Sequence, residues 1–387
     1  MKSIELFAGG GGLAIGLERS GFQAAAIIEY NKDACLTLSR NYLNKPSTVI
    51  YEGDVRKFNY ANVVNEIALV SGGPPCQPFS MGGKHGAFND DRDMFPEAVR
   101  AIRELRPKAF IFENVKGLLR AAFADYFEYI ILQLQYPLLV KNDGEAWPQH
   151  LDRLEKFHTS NNTSSELAYK VVFRLLNAAD YGVPQKRERV FIVGFRSDLE
   201  VEWSFPPPTH SSDALEWSKW VSGQYWLRHG ISNPLSIFET EKLARKLRLK
   251  YGFFEPVTQP WVTIRDAISD LPDPIITSGG ALNHDFKDGA RSYPGHTGSY
   301  IDEPSKTLKA GGHGVPGGEN MIRFENGTLR YFTVRESARI QTFPDNYRLE
   351  GAWGEAMRQI GNAVPVRLAE AVGTSVKEVL SSLKLAF

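Results

Sequence analysis

The chain has 387 residues, enough for two domains and a sizeable buried core. Its 45 basic and 45 acidic residues balance to a formal net charge of zero, which excludes a surface covered in positive charge but leaves room for a local basic groove. Two cysteines, Cys35 and Cys76, are too few for a disulfide framework or a cysteine-rich zinc site and point to a reducing compartment.

The first residues run straight into a strand-like stretch with no basic-then-apolar leader, and no apolar run reaches membrane-spanning length. A soluble, cytoplasmic protein is expected. In chain order, "IELF" (4–7) predicts a strand, "GLAIGLERSG" (12–21) a helix closed by Gly21, and "AAAIIE" (24–29) a second strand. A helix through "KDACLTLSRNY" (32–42) precedes the strand-like "TVIY" (48–51), with Asp54 just beyond it. "IALV" (67–70) reads as a buried strand, "FPEAVRAIREL" (95–105) as an amphipathic helix with Pro96 in its first turn, and "AFIFEN" (109–114) as the next strand. A polar stretch over 136–168 reads as a surface insertion, after which "AYKVVFRLL" (168–176) and "RVFIVGF" (189–195) resume the strands. This alternation predicts an α/β fold with a doubly wound, mostly parallel sheet.

Composition then shifts. "FPPPTH" (205–210) reads as a boundary, and the tryptophans at 203, 217, 220 and 226 are expected to form the core of a smaller module. His284, His296 and His313 fall in a stretch rich in Gly, Pro and Ser and are expected in loops. Helical patterns return at 334–343 and 365–383, and "RQIGNAVPV" (358–366) predicts a tight Gly-Asn turn opening the last helix. The expected division is a first domain over 1–199, a second module with its hinge over 200–345, and a carboxyl-terminal segment, 346–387, that returns to complete the first.

Chemistry concentrates in a few loops. "ELFAGGGGLA" (5–14) puts four glycines between a strand and a helix, where bare amides suit an anionic group and a cofactor can approach the backbone. Ala8, Gly9, Gly11 and Gly12 are the candidate contacts. Glu29 ends the next strand, where a carboxylate can accept ribose hydroxyls, and Asp54 ends the one after, where it could receive an adenine amine; Tyr30 and Val55 flank them. Two acids on successive strand ends favour an adenosine-bearing cofactor and leave NAD and S-adenosylmethionine both open. "VSGGPPCQPFS" (70–80) holds Cys76 on a stiff loop past a strand end, because the prolines forbid a helix through it. "FENV" (112–115) puts Glu113 at a strand's carboxyl end in an apolar context that should raise its pKa. In "QKRERVFIVG" (185–194), Arg187 and Arg189 share one face as a strand begins.

PPCQPFS, ENV, QKRERV, "RESARIQTFPD" (335–345) and GNAVP, in this order after FAGGGG, resemble the cytosine-C5 DNA methyltransferases over nearly the whole chain. The resemblance implies the class I S-adenosylmethionine-dependent methyltransferase fold with a smaller target-recognition domain, here centred on roughly 200–325. It implies that Cys76 attacks C6 of a cytosine flipped out of duplex DNA, which loads electron density onto C5 for methylation. Glu113 would bond N3 and the exocyclic amine, with Arg187 over the pyrimidine O2 and Arg189 supporting the same pocket. Phe7 would pack on adenine, Glu29 hold the ribose and Asp54 the adenine amine, while Pro74 and Asn362 line the methionine end. Residues 77–93 look like the family's mobile catalytic loop, with Gln77 and Ser80 near the flipped nucleotide and Arg92 on a phosphate. Lys242, Arg245, Lys246, Arg248 and Lys250 are expected on phosphates or on a solvated helix face, and Arg335, Glu336 and Arg339 in a helix that supports the recognition module. No metal site is expected. The implied partners are double-stranded DNA and, functionally, a companion restriction endonuclease; no membrane contact and a monomeric state are expected. A tRNA cytosine-C5 methyltransferase and a non-catalytic DNA-binding relative are the alternatives.

Overall fold

The structure is a computed structural model, and it describes residues 1–63, 66–75, 93–160, 166–276, 281–294, 296–310 and 320–383. Its first half alternates β1 (Lys2–Leu6), α1 (Gly12–Arg19), β2 (Gln23–Glu29), α2 (Lys32–Asn41), β3 (Val49–Glu52), β4 (Ile67–Gly72), α3 (Phe95–Leu105) and β5 (Ala109–Val115). After α4 (Ala124–Gln135) and α5 (Trp147–Thr159) come β6 (Tyr169–Asn177) and β7 (Glu188–Arg196). These strands form one seven-stranded sheet in the order β3-β2-β1-β4-β5-β7-β6. Pairs from β3 to β5 are parallel, and β7 alone runs antiparallel to both of its neighbours. The fold is thus doubly wound and mostly parallel, as the alternation predicts. β4 (IALVSG) is buried throughout, as a central parallel strand covered on both faces must be.

Strand order reverses between β1 and β4, so loops leaving their carboxyl ends diverge and open a crevice. Two glycines let distant chain pack beside it. A Cβ on Gly12 would lie 2.2 Å from the Val364 carbonyl oxygen, and one on Gly16 2.5 Å from the Ala369 Cβ. Helix α1 therefore lies directly against the last helix of the chain.

The remainder comprises β8 (His210–Ser211), α6 (Ser212–Trp220), α7 (Gln224–His229), α8 (Ile237–Tyr251), β9 (Gln259–Pro260) and α9 (Ile264–Ile268). These are followed by β10 (Ser299–Tyr300), β11 (Met321–Arg323), β12 (Leu329–Tyr331), α10 (Val334–Ile340), α11 (Trp353–Asn362) and α12 (Val366–Ser382). Leu215, Tyr225 and Trp226 form a small core with Trp220 and Trp261 packed against it. A second cluster joins α9, β11, α10 and α11 to Ile15 of α1 and Val366 of α12. The RESAR helix α10 is held by polar contacts as well as burial. Thr333 and Glu336 form a capping box, Arg330 pairs with Glu336, and buried Arg335 donates to the carbonyls of Leu282, Pro344 and Tyr347. Arg339 pairs with both Asp270 and Asp345.

Three expectations change. The stretch over 136–168 is not only surface insertion, because α5 buries His150, Leu151 and Leu154 on its inner face. Gly361 and Asn362 do not form a turn opening the last helix; they end α11, whose apolar stripe of Ala356, Met357 and Ile360 drives it into the core. Trp203 packs with Phe195 and Phe205 against the large sheet's core and donates to Ser375 Oγ at 2.8 Å, so it does not belong with the other tryptophans. His284 lies in a loop as expected, but fully buried, with Nδ1 2.8 Å from Thr333 Oγ1 and Nε2 2.8 Å from the Pro272 carbonyl, so it pins that loop to the start of α10. His313 lies outside the described residues. Helix α8 turns Lys242, Arg245 and Lys246 to solvent, while Arg248 pairs with Glu241 and Lys250 with Asp213. Among the described residues, no helix is long and apolar enough to cross a membrane.

Candidate active site

A cleft of about 880 Å³ opens at the strand-order reversal and is lined by Phe7, Glu29, Asp54, Pro74, Glu113 and Asn362 among others. The glycine loop forms its floor. Phe7 sits in the left-handed region at φ 56°, followed by Gly9 at 54° and Gly11 at 82°, so the chain leaves β1 in a sharp turn that L side chains rarely adopt. A backbone bond from Ala8 N to the Ile28 carbonyl, 3.2 Å, holds that turn. A Cβ on Gly9 would meet nothing within 4 Å, so the bare backbone faces the cleft there.

Glu29 organises this floor. Its carboxylate accepts the amides of Gly9 at 2.6 Å, Tyr30 at 2.9 Å and Asn31 at 2.7 Å. A carboxylate has about four acceptor positions, so one remains for a ligand. Asp54 is held differently: it caps the Arg56 amide at 3.0 Å and takes a bidentate pair from the Arg56 guanidinium, which keeps its carboxyl below the usual range. Tyr30 is exposed at the rim, whereas Val55 and Ala8 are buried behind it.

On the other side of the reversal stand the groups expected to carry chemistry. Pro74 is tied to β5 by the Asn114 side-chain amide, which donates to its carbonyl at 2.9 Å. Glu113, buried at the end of β5, lies 2.9 Å from Arg189 Nε on the adjoining strand β7. Burial raises the Glu113 carboxyl pKa, and the opposing charges of Arg189 and Arg187 only partly offset it. Arg187 is 1% exposed and donates to the carbonyls of Leu308 at 3.3 Å and Gly361 at 2.8 Å. Its Nε is buried without a hydrogen-bond partner among the described residues. Burial and neighbouring Arg189 work against its charge, and Glu113 supports it.

The structure thus brings Phe7, Ala8, Gly9, Glu29, Tyr30, Asp54, Val55, Pro74, Glu113, Arg187, Arg189 and Asn362 to one cleft, whereas Gly11 packs against Tyr347 and Leu38 and is not among its lining residues. Gly12 serves packing against Val364. Cys76, Gln77, Ser80 and Arg92 lie outside the described residues. Sequence reasoning missed Glu5, Arg56 and Gln359. Buried Glu5 lines the cleft with Oε2 unpartnered among the described residues, and burial, Glu18 and Glu29 push its pKa well up. An acid inside an apolar strand was the available signal. Gln359 reaches the cleft because α11 presses on Gly10, where a Cβ would lie 3.2 Å from the Gln359 Cβ, and nothing local in the sequence announces that contact.

A glycine floor, acids on successive strand ends and a crevice at the strand-order reversal define an α/β site for an adenosine-bearing cofactor. The chain belongs to the C-5 cytosine-specific DNA methylases, whose family model matches residues 1–136 and 149–378, and it is a DNA cytosine-5-methyltransferase. It is 32% identical to the Type II methyltransferase M.PspPI of Psychrobacter sp. (strain TA137), over 98% of this chain and 79% of that one. It is 31% identical to M.NgoPII of Neisseria gonorrhoeae, over 98% and 96%. A putative DNA modification methyltransferase encoded within an E. coli prophage shares the fold at a TM-score of 0.57 and 21% identity, over 98% and 99%. The S. pombe Dnmt2 methyltransferase does so at 0.56 and 16%, over 99% of each chain. Family and fold imply S-adenosylmethionine as methyl donor. The polar groups present suit it: a carboxylate with one acceptor position left, a bare backbone at Gly9 and a Glu5 Oε2 unpartnered among the described residues.

Proposed function

We propose that this methyltransferase acts on a cytosine extruded from duplex DNA, with Cys76 as nucleophile and Glu113, Arg187 and Arg189 as the groups that hold the base. Target atoms inside a stacked duplex are out of reach, so extrusion is required. The Cys76 thiolate adds to C6, which converts the ring to an enamine and makes C5 nucleophilic. Glu113, whose carboxyl burial shifts toward the protonated form, would donate to N3 and accept from the exocyclic amine as the ring gains charge. Arg187 Nε is a ready donor for the pyrimidine O2. Loss of the C5 proton and elimination of the Cys76 sulfur restore the aromatic ring. S-adenosylmethionine supplies the electrophilic methyl group when bound. Phe7, Glu29 and Asp54 would hold its adenosine, and Pro74 and Asn362 its methionine end.

The observation that carries this reading is the buried Glu113 carboxyl between two arginines, in the same cleft as the Glu29-bound glycine loop. Its test is a duplex with 5-fluorocytosine at the methylation site, incubated with methyl donor. The fluorine cannot leave as a proton does, so the wild-type chain becomes permanently linked to DNA and the Cys76→Ser variant does not. Equal linkage in both would overturn the assignment. Labelled tRNA tested in parallel distinguishes the RNA substrate.

The module over 200–345 is proposed to read the target sequence, with 346–387 completing the catalytic domain and the basic face of α8 contacting phosphates. A monomeric, cytoplasmic modification enzyme paired with a restriction endonuclease of the same specificity is the proposed setting. Mapping methylated cytosines in DNA from cells that express the chain tests the specificity.

A further inference from the structure

Pro75, which precedes Cys76 in the sequence, and Asp93, which closes the expected catalytic loop, are the two feet of this stretch, and the chain beside them is tied together. Met94 N donates to the Pro75 carbonyl at 3.1 Å. Asp93 is fixed from two sides, because its carboxylate accepts the amide of Phe95, the first residue of α3, at 3.2 Å and the hydroxyl of Tyr126 on α4.

Tyr126 is itself locked. It is 6% exposed, and its ring packs edge-on against Trp147 at 5.4 Å and beside Tyr129 at 5.9 Å. The Tyr129 hydroxyl meets His150 Nδ1 at 2.9 Å, and His150 Nε2 meets the Leu139 carbonyl at 2.8 Å. His150 is buried to 1% exposure on α5. Leu139 and Trp147 fall between the two stretches matched by the family model, so the brace draws partly on residues outside that match.

We infer that Tyr126 is a positioning residue for methyl transfer: through Asp93 it fixes the foot of the Cys76-bearing segment against the α4–α5 brace. This rests on the proposed role of Cys76. A reacting sulfur must be held within a fraction of an ångström of its line of attack, and a 1 Å misplacement from a remote change can cost about 100-fold in rate. The hydroxyl and carboxylate are therefore expected to act mainly on the chemical step, because Phe7, Glu29 and Asp54, which would hold the donor's adenosine, lie across the strand-order reversal.

The test is single-turnover methyl transfer at saturating donor and duplex, with donor affinity measured separately by calorimetry. Tyr126→Phe keeps the ring packing and removes only the hydroxyl. It is expected to slow methyl transfer by about tenfold while donor affinity stays within about twofold of wild type. Asp93→Ala should slow it comparably, and the double variant should be no slower than the slower single, since both remove one shared contact. An unchanged rate in Tyr126→Phe, a parallel loss of donor affinity, or independent losses that multiply in the double variant would each overturn the proposal. Because methyl transfer is read directly, failure here is distinct from failure of the Cys76 assignment, which DNA linkage in Cys76→Ser decides.

Discussion

Arg187 Nη2 donates to the carbonyl of Gly361 at 2.8 Å, joining two residues 174 positions apart. The same guanidinium reaches the Leu308 carbonyl, so one buried side chain ties the edge of the base pocket to the segment before β11 and to the end of α11. Gly361 can come this close only without a side chain, because a Cβ there would lie 2.5 Å from the Ala310 amide. Pocket and architecture therefore share one residue.

Replacing Arg187 should consequently cost stability as well as activity. Arg187→Lys cannot fork between two carbonyls, and each carbonyl left unsatisfied costs about 1–3 kcal/mol. Urea unfolding is expected to report a loss in that range, together with loss of methyl transfer. A variant of normal stability that is merely inactive would show that the guanidinium serves the base alone.

The contact between α1 and α12 predicts a contrast between two glycines. Gly16→Ala drives a methyl group into Ala369 and the Val366 carbonyl and should destabilise by about 1–3 kcal/mol. Gly354→Ala, near the start of α11, meets nothing within 4 Å and should be neutral or stabilising by about 0.4–1 kcal/mol. Thermal midpoints of the two variants measure the difference directly.

Glu29→Gln replaces one oxygen of the carboxylate with a donor that faces a backbone amide. Losing one or two charge-assisted bonds worth about 1.5–3 kcal/mol each should loosen the glycine floor and weaken donor binding by at least tenfold. Calorimetric titration with S-adenosylhomocysteine checks this without turnover.

Glu303 gives a pH dependence. Burial by itself would raise its carboxyl, but Lys219 and Lys186, at 2.8 and 3.1 Å, outweigh burial and hold it below the ordinary range. The folded pKa lies below the unfolded value of about 4.3, so the pair's stabilisation is complete above that value and is lost as pH falls through the folded pKa. The thermal midpoint should therefore drop on acidification below about pH 4, and less steeply in Glu303→Gln than in wild type.

Glu113→Gln should slow methyl transfer by roughly 100-fold or more, in the range general acid catalysis contributes. Donor affinity should survive, because Glu113 stands on the β5 side of the cleft and Glu29 on the β2 side. A normal rate in pre-steady-state assays would remove Glu113 from the base pocket.

The sheet, the glycine turn and most of the cleft's residue types were legible in the residues alone, because these rest on short-range rules. Apolar periodicity marks strands and helices, Pro74 and Pro75 stiffen a loop, and Glu29 follows Gly9 at the reach of one strand–helix–strand unit. Legibility stopped where burial comes from distant chain. Gly361 and Asn362 read as a turn because the residues that pull α11 into the core come from other helices and strands. It took the assembled fold to pack Trp147 on Tyr126 and His150 on Tyr129, although both come from a stretch reading as polar insertion. That fold also decided that Glu29 spends three acceptor positions on its own backbone. Contacts between segments depend on which faces the whole fold brings together, and no local window of residues contains that information.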